Sequence, residues 1–136
     1  MRPAVFLCIG ALSAAIVSAE DRAPSVFTAE QADAGRAAYA KNCASCHMPD
    51  LSGNAEIPPL AGETFLGTWK GKTTKDLRDY MSAAMPYGGP SLDAESYTVI
   101  TAFILSANGA VAGQQKLDAS TAVVMGSLTR GRTAKN

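Results

Sequence analysis

Two cysteines two residues apart, followed at once by a histidine, constrain this chain more than any other stretch: Cys43-Ala44-Ser45-Cys46-His47. The pattern is the attachment signature of a c-type haem. Each thiol can add across a vinyl group of the macrocycle to give a thioether, and the next residue is then placed to ligate iron. A group of that size fixed to one short stretch needs an apolar wrapping, so the rest of the chain should be its container. Two alternatives stay open at this point. A Cys-x-x-Cys pair can be a dithiol redox site, which belongs near a strand-helix-strand pattern that is not visible here. It can also be half of a zinc site, but the chain has no other histidine and only one other cysteine, Cys8.

The N-terminus bears on Cys8. Met1-Arg2 gives a short positive start, residues 4–17 are apolar apart from Gly10 and Ser13, and Val17-Ser18-Ala19 offers small residues before Glu20 and Asp21. This is the layout of a cleaved secretory signal. The run is shorter than the roughly twenty apolar residues that a spanning helix needs, with an uncleaved anchor as the alternative. Leu7 before Cys8 argues against a lipid-modified cysteine. Cleavage after Ala19 leaves Cys43 and Cys46 as the pair in an exported, periplasmic protein. Such a pair would ordinarily read as a disulfide; the adjoining His47 turns it into a haem clamp. The expected organisation is a signal peptide over 1–19, a leader over 20–27, one domain over 28–126 and a flexible tail over 127–136.

Charge excludes little but is informative. Twelve basic and twelve acidic residues balance, and loss of Arg2 with the signal leaves eleven against twelve, a net of −1. No polyanion partner is implied.

Along the domain, Thr28 with Gln31 makes a capping box, and the alanine-rich run over 29–41 predicts a helix leading straight into Cys43. Ala32, Gly35 and Tyr39 share one face of it. Gly35 reads either as a close helix crossing or as a merely tolerated glycine. From 48 to 72 the helical signal disappears under Pro49, Gly53, Pro58, Pro59, Gly62, Gly67 and Gly71. Leu51, Ile57, Leu60, Phe65, Leu66 and Trp69 are scattered through it, as in a long loop that wraps a non-protein object. Thr73 or Thr74 starts a second helix with Leu77, Tyr80, Met81 and Ala84 on its apolar face, ending before Met85-Pro86. Asp93 caps the last helix, whose stripe is Tyr97, Ile100, Phe103, Ile104 and Leu105, and Asn108-Gly109 stops it. Residues 110–128 are weakly patterned, with Val123-Val124-Met125 expected to tuck against the body.

A second axial ligand cannot be a histidine, so the soft alternative is a methionine thioether. Met48 adjoins His47, Met81 sits on an apolar stripe, and Met125 lies in the weak segment. Met85 stands at a helix end where Pro86 and Gly88-Gly89 force an irregular backbone, and is the expected distal ligand. Five-coordinate iron is the competing case. A ligating His47 should donate its second ring N–H to a carbonyl, for which the Pro58-Pro59-Leu60 turn is the natural source. The Trp69 indole could reach a haem propionate or be an ordinary core residue.

Taken together, the chain resembles class I c-type cytochromes over nearly its whole mature length. The resemblance rests on Gly35-Arg36 with Tyr39, the 43–47 motif, Pro58-Pro59-Leu60-Ala61-Gly62, Phe65, Trp69, Met85-Pro86, and the stretch from Tyr97 to Asn108-Gly109. Met85-Pro86 followed by Gly89-Pro90-Ser91-Leu92 is similar to small bacterial cytochromes associated with quinoprotein dehydrogenases. It implies an all-α fold of three main helices plus a long loop around one covalent haem. It also implies that the first and last helices cross with Gly35 near the Tyr97 ring, that Pro58 serves His47, and that Met85 is the distal ligand. Met48 departs from the pattern, since many relatives carry glycine after the histidine.

The implied role is a periplasmic electron carrier with no chemistry of its own. Its partners would be redox proteins, among them a quinoprotein dehydrogenase and a terminal oxidase or another cytochrome, without nucleic acid or stable membrane insertion. A dedicated cytochrome subunit of a dehydrogenase complex is a variant of this. The rival is a haem sensor or peroxidase-like enzyme with an open iron site. A peroxidase wants a distal acid–base group, and with His47 on iron no histidine remains.

Overall fold

Local chemistry starts the first helix where the sequence predicts it. Thr28 caps α1, Ala29–Asn42, in a full capping box with Gln31. The structure, a computed structural model, describes residues 23–129. The signal expected over 1–19, with Cys8, and the tail from 130 onward lie outside the described residues.

Five further helices follow: α2, Ala44–His47; α3, Glu63–Trp69; α4, Thr74–Ala84; α5, Ala94–Ala107; and α6, Met125–Leu128. There is no strand among the described residues, only an isolated bridge between Thr73 and Val124. None of these helices is long and apolar enough to cross a membrane. The core is built where α1 crosses α5. Gly35 makes the crossing possible, because a Cβ there would overlap the Val99 carbonyl and lie 2.9 Å from Phe103 Cβ. The contact therefore falls at Val99 and Phe103, further along α5 than the expected ring of Tyr97. Tyr39 tilts against Phe103 at 5.2 Å between ring centroids, and the Arg36 guanidinium lies 4.9 Å over that same ring. α4 rests on α5 through buried Leu77 and Met81, while Tyr80 of the expected apolar face is 51% exposed.

Three expectations need correction. The 48–72 stretch is not all loop, since α3 interrupts it. Glycines at 62 and 67 hide this helix in the sequence, yet Phe65 is buried in the core and stacks on Trp69 at 6.1 Å. At the front, Val26 and Phe27 are buried, so the packed body begins before 28. At the back, Leu128 and Thr129 are buried, so it continues past 126.

The weakly patterned segment after α5 is a strap held by backbone hydrogen bonds. Gly113 N–H donates to the Phe27 carbonyl, and Gln31 exchanges two 2.8 Å bonds with the Leu117 backbone. Thr74 Oγ1 donates to Thr121 O at 2.7 Å, and Met125 and Gly126 N–H donate to Lys72 and Lys70 carbonyls. The strap thereby closes over the α3–α4 junction, and of the expected Val123-Val124-Met125 contact Met125 tucks into the core while Val124, paired with Thr73 through its backbone, leaves its side chain 46% exposed.

Candidate functional site

α1 delivers the cysteine pair directly. Cys43 ends α1, its N–H donating to Tyr39 O at 2.8 Å, and its own carbonyl then accepts from Cys46 and His47 N–H. Cys43, Cys46 and His47 thus share one helical turn, which puts residues three and four apart on one side. Both thiols are free. Cys43 is half-buried, and burial, followed by the neighbouring Cys46, pushes its thiol up; Cys46 is exposed.

His47 is 8% exposed, and its Nδ1 lies 2.9 Å from the Pro58 carbonyl oxygen. A carbonyl only accepts, so Nδ1 is the donor in this contact and Nε2 is the ring nitrogen left for a ligand. The intervening backbone doubles back to make this contact. Met48, Leu51 and Gly53 all have positive φ, and Gly53 N–H returns to the His47 carbonyl at 3.0 Å. Leu60 N–H donates to Leu51 O at 2.9 Å, which closes the loop that carries Pro58.

Met85 lies at the end of α4, half-buried against the core, with its N–H on the Met81 carbonyl at 2.8 Å and extended dihedrals. Its carbonyl accepts from the Tyr97 hydroxyl at 2.6 Å. Of the other thioethers, Met81 and Met125 are buried in the core and Met48 is 39% exposed beside His47. Trp69 is half-buried at the end of α3, edge-on to Tyr80 at 5.5 Å, with Lys72 Nζ 4.5 Å from its ring centroid. No protein acceptor among the described residues takes its indole N–H. Arg78 and Lys75 both pair with Asp79.

Three contributors are invisible as site residues in the sequence. The Tyr39 hydroxyl donates to Met48 O at 2.6 Å, and Tyr97 serves Met85. Asn108, read there only as a helix stop, bonds Leu60 O, Ile104 O and Gly62 N–H. One signal does exist. Tyrosine on the buried stripe of a helix must find a partner for its hydroxyl.

These donors suit a haem. Two thiols share a turn with an imidazole whose outer nitrogen is already oriented, and a thioether stands at a helix end. Leu60, Leu92, and Leu66 with Trp69 of α3 bring partly buried apolar side chains from three segments against the core. No group of three or more His, Cys, Asp or Glu residues that could hold a metal ion occurs among the described residues.

Comparison with known proteins agrees with this chemistry. Residues 30–104 match the family described as cytochrome c oxidase, cbb3-type, subunit III. Among solved structures, the chain is similar to the sulfane dehydrogenase SoxCD from Paracoccus pantotrophus, at 27% identity and a TM-score of 0.52. That similarity covers 73% of this chain and 51% of the other, so the chain spans about half the length of its structural relative. No curated protein matches the chain.

Proposed function

The chain belongs to the cytochrome c oxidase, cbb3-type, subunit III family, and from that premise we infer a periplasmic electron carrier with one haem c ligated by His47 and Met85. The fold is all-α and of the cytochrome c type, and the protein carries electrons without being a catalyst itself. Cys43 and Cys46 would hold the group through thioethers, and it would supply one-electron exchange between ferrous and ferric iron. The observation that carries this reading is the buried imidazole of His47, fixed by Pro58 O with its other nitrogen left for a ligand, one turn from two free thiols.

The chain's own residues do three things. α1 and the returning 48–60 loop hold the imidazole in one orientation, so that little need move when iron changes charge. α4 and α5 hold the backbone of Met85 from two sides. Leu60, Leu66 and Leu92 exclude water, which favours the less charged state and raises the potential, as does a Met/His pair.

The likeness to a sulfane dehydrogenase supports a dehydrogenase as the electron donor, in a complex or by transient docking. A terminal oxidase or another cytochrome would be the acceptor. Export by the 1–19 signal would place all of this in the periplasm.

Optical spectra of the purified protein in both oxidation states test the proposal. A weak far-red ferric band marks methionine on iron, and no carbon monoxide should bind to the reduced protein. A missing band together with carbon monoxide binding would point instead to an open-site sensor or enzyme. Cys43→Ala with Cys46→Ala should make the haem extractable by acid–acetone.

A further inference from the structure

We propose that Tyr97 is the positioning residue for Met85, its hydroxyl acting as a latch that sets how readily the thioether leaves the haem side. The proposal rests on Met85 being the distal ligand.

Tyr97 lies in the first turns of α5 and is 4% exposed. Its hydroxyl donates to the Met85 carbonyl at 2.6 Å and accepts from Leu92 N–H at 3.0 Å. One phenol oxygen therefore joins the two ends of the excursion over residues 86–91. The Met85 N–H is already committed to Met81 O of α4. With Tyr97 in place, both backbone polar groups of Met85 are bound, one to each of two packed helices.

The loop itself contributes little to its own stability. Residues 87–91 are exposed, and the one backbone bond within the excursion is the turn from Gly89 N–H to Pro86 O at 3.1 Å. Segments with few buried contacts open at low free energy. Tyr97 is by contrast firmly anchored. Asp93 caps the helix beneath it, and Thr101 Oγ1 donates to its carbonyl at 2.8 Å. Removing the hydroxyl would leave a carbonyl and an amide at the loop ends without their partner, while the ring packing would stay. The closed loop would lose population to an open one, and a ligand that binds only the open form would gain affinity in proportion.

The test uses the ferric holoprotein and imidazole as the competing ligand. Tyr97→Phe should keep the far-red band at rest and bind imidazole about tenfold more tightly than the parent, the size expected from losing the net contribution of one to two hydrogen bonds. Exchange of the Leu92 amide with deuterium should speed up in the same variant. Tyr87→Phe, which removes a hydroxyl from a 94% exposed residue of the same loop, should bind imidazole within about twofold of the parent. Imidazole affinity in Tyr97→Phe within twofold of the parent would overturn the latch, as would an unchanged Leu92 exchange rate. Met85→Ala separates this from the underlying assignment. Loss of the band there leaves Met85 as ligand and the latch to be judged on Tyr97→Phe, whereas a surviving band removes the ligand assignment and the latch with it.

Discussion

His47 Nδ1 and the Pro58 carbonyl oxygen, eleven residues apart in sequence, stand 2.9 Å from one another. The loop that brings Pro58 there is fastened at its far end by a single side chain. Asn108 Nδ2 donates to Leu60 O at 2.9 Å and to Ile104 O at 2.8 Å, and its Oδ1 accepts from Gly62 N–H at 3.0 Å. The C-terminal end of α5 thus governs a loop that orients the imidazole.

Asn108→Ala should therefore destabilise the holoprotein by about 2–4 kcal/mol, because it removes three side-chain hydrogen bonds, to Leu60 O, Ile104 O and Gly62 N–H, together. Equilibrium urea unfolding measures this. A loss under 1 kcal/mol would mean that water replaces the amide without penalty.

Glycine positions in two helices should respond in opposite directions. Gly35→Ala puts a methyl against the Val99 carbonyl, a backbone group that no rotamer change can move aside. The α1–α5 crossing would have to widen, at about 3 kcal/mol or more. Gly67 in α3 has nothing within 4 Å of its ideal Cβ, and Gly67→Ala should stabilise by up to about 1 kcal/mol. Thermal unfolding of both variants checks the pair, and equal effects would refute the close-crossing account.

Alkaline pH should weaken the fold through Tyr39. Burial first, then the nearby Cys43 and Asp50, push its hydroxyl from the ordinary 10.0 up to about 12. The folded state then holds its proton where the unfolded chain has released it. Stability is complete below pH 10 and falls between 10 and 12, by on the order of 2 kcal/mol. Tyr39→Phe should lose the bond to Met48 O at neutral pH and flatten this alkaline limb. A limb that persists in the variant would assign it to another group.

What was legible in the sequence is what depends on near neighbours. Thr28 with Gln31 and Asp93 cap helices as their spacing predicts, and of the two threonines offered for α4 it is Thr73 that caps, because a cap is closed within three residues. The 43–47 motif was legible for a similar reason, since its two thiols and imidazole sit within a single helical turn. α3 was not, because Gly62 before it and Gly67 within it mask a helix that tertiary burial of Phe65 sustains. The strap was not either: Gln31 and Leu117 are 86 residues apart, and backbone bonding leaves no periodicity to read. The Tyr97 bond to Met85 requires knowing how α5 lies against the end of α4, so only the fold reveals it.

Met48, the residue that follows His47, holds a backbone conformation that its side chain does not favour. Its φ of 67° with ψ of 151° is a conformation that glycine adopts freely and side chains rarely do, at a cost on the order of 1–3 kcal/mol. Its side chain returns little for this, being 39% exposed. The loop imposes the conformation from both sides, since Tyr39 holds the Met48 carbonyl and Gly53 N–H holds that of His47. Met48→Gly relieves the strain and loses about 0.5–1 kcal/mol to greater freedom in the unfolded chain. The balance is a gain of about 1 kcal/mol in urea unfolding. With His47 and Pro58 undisturbed, the far-red band of the ferric protein should not change. A less stable Met48→Gly would show that the thioether contributes packing beside the haem that outweighs the strain.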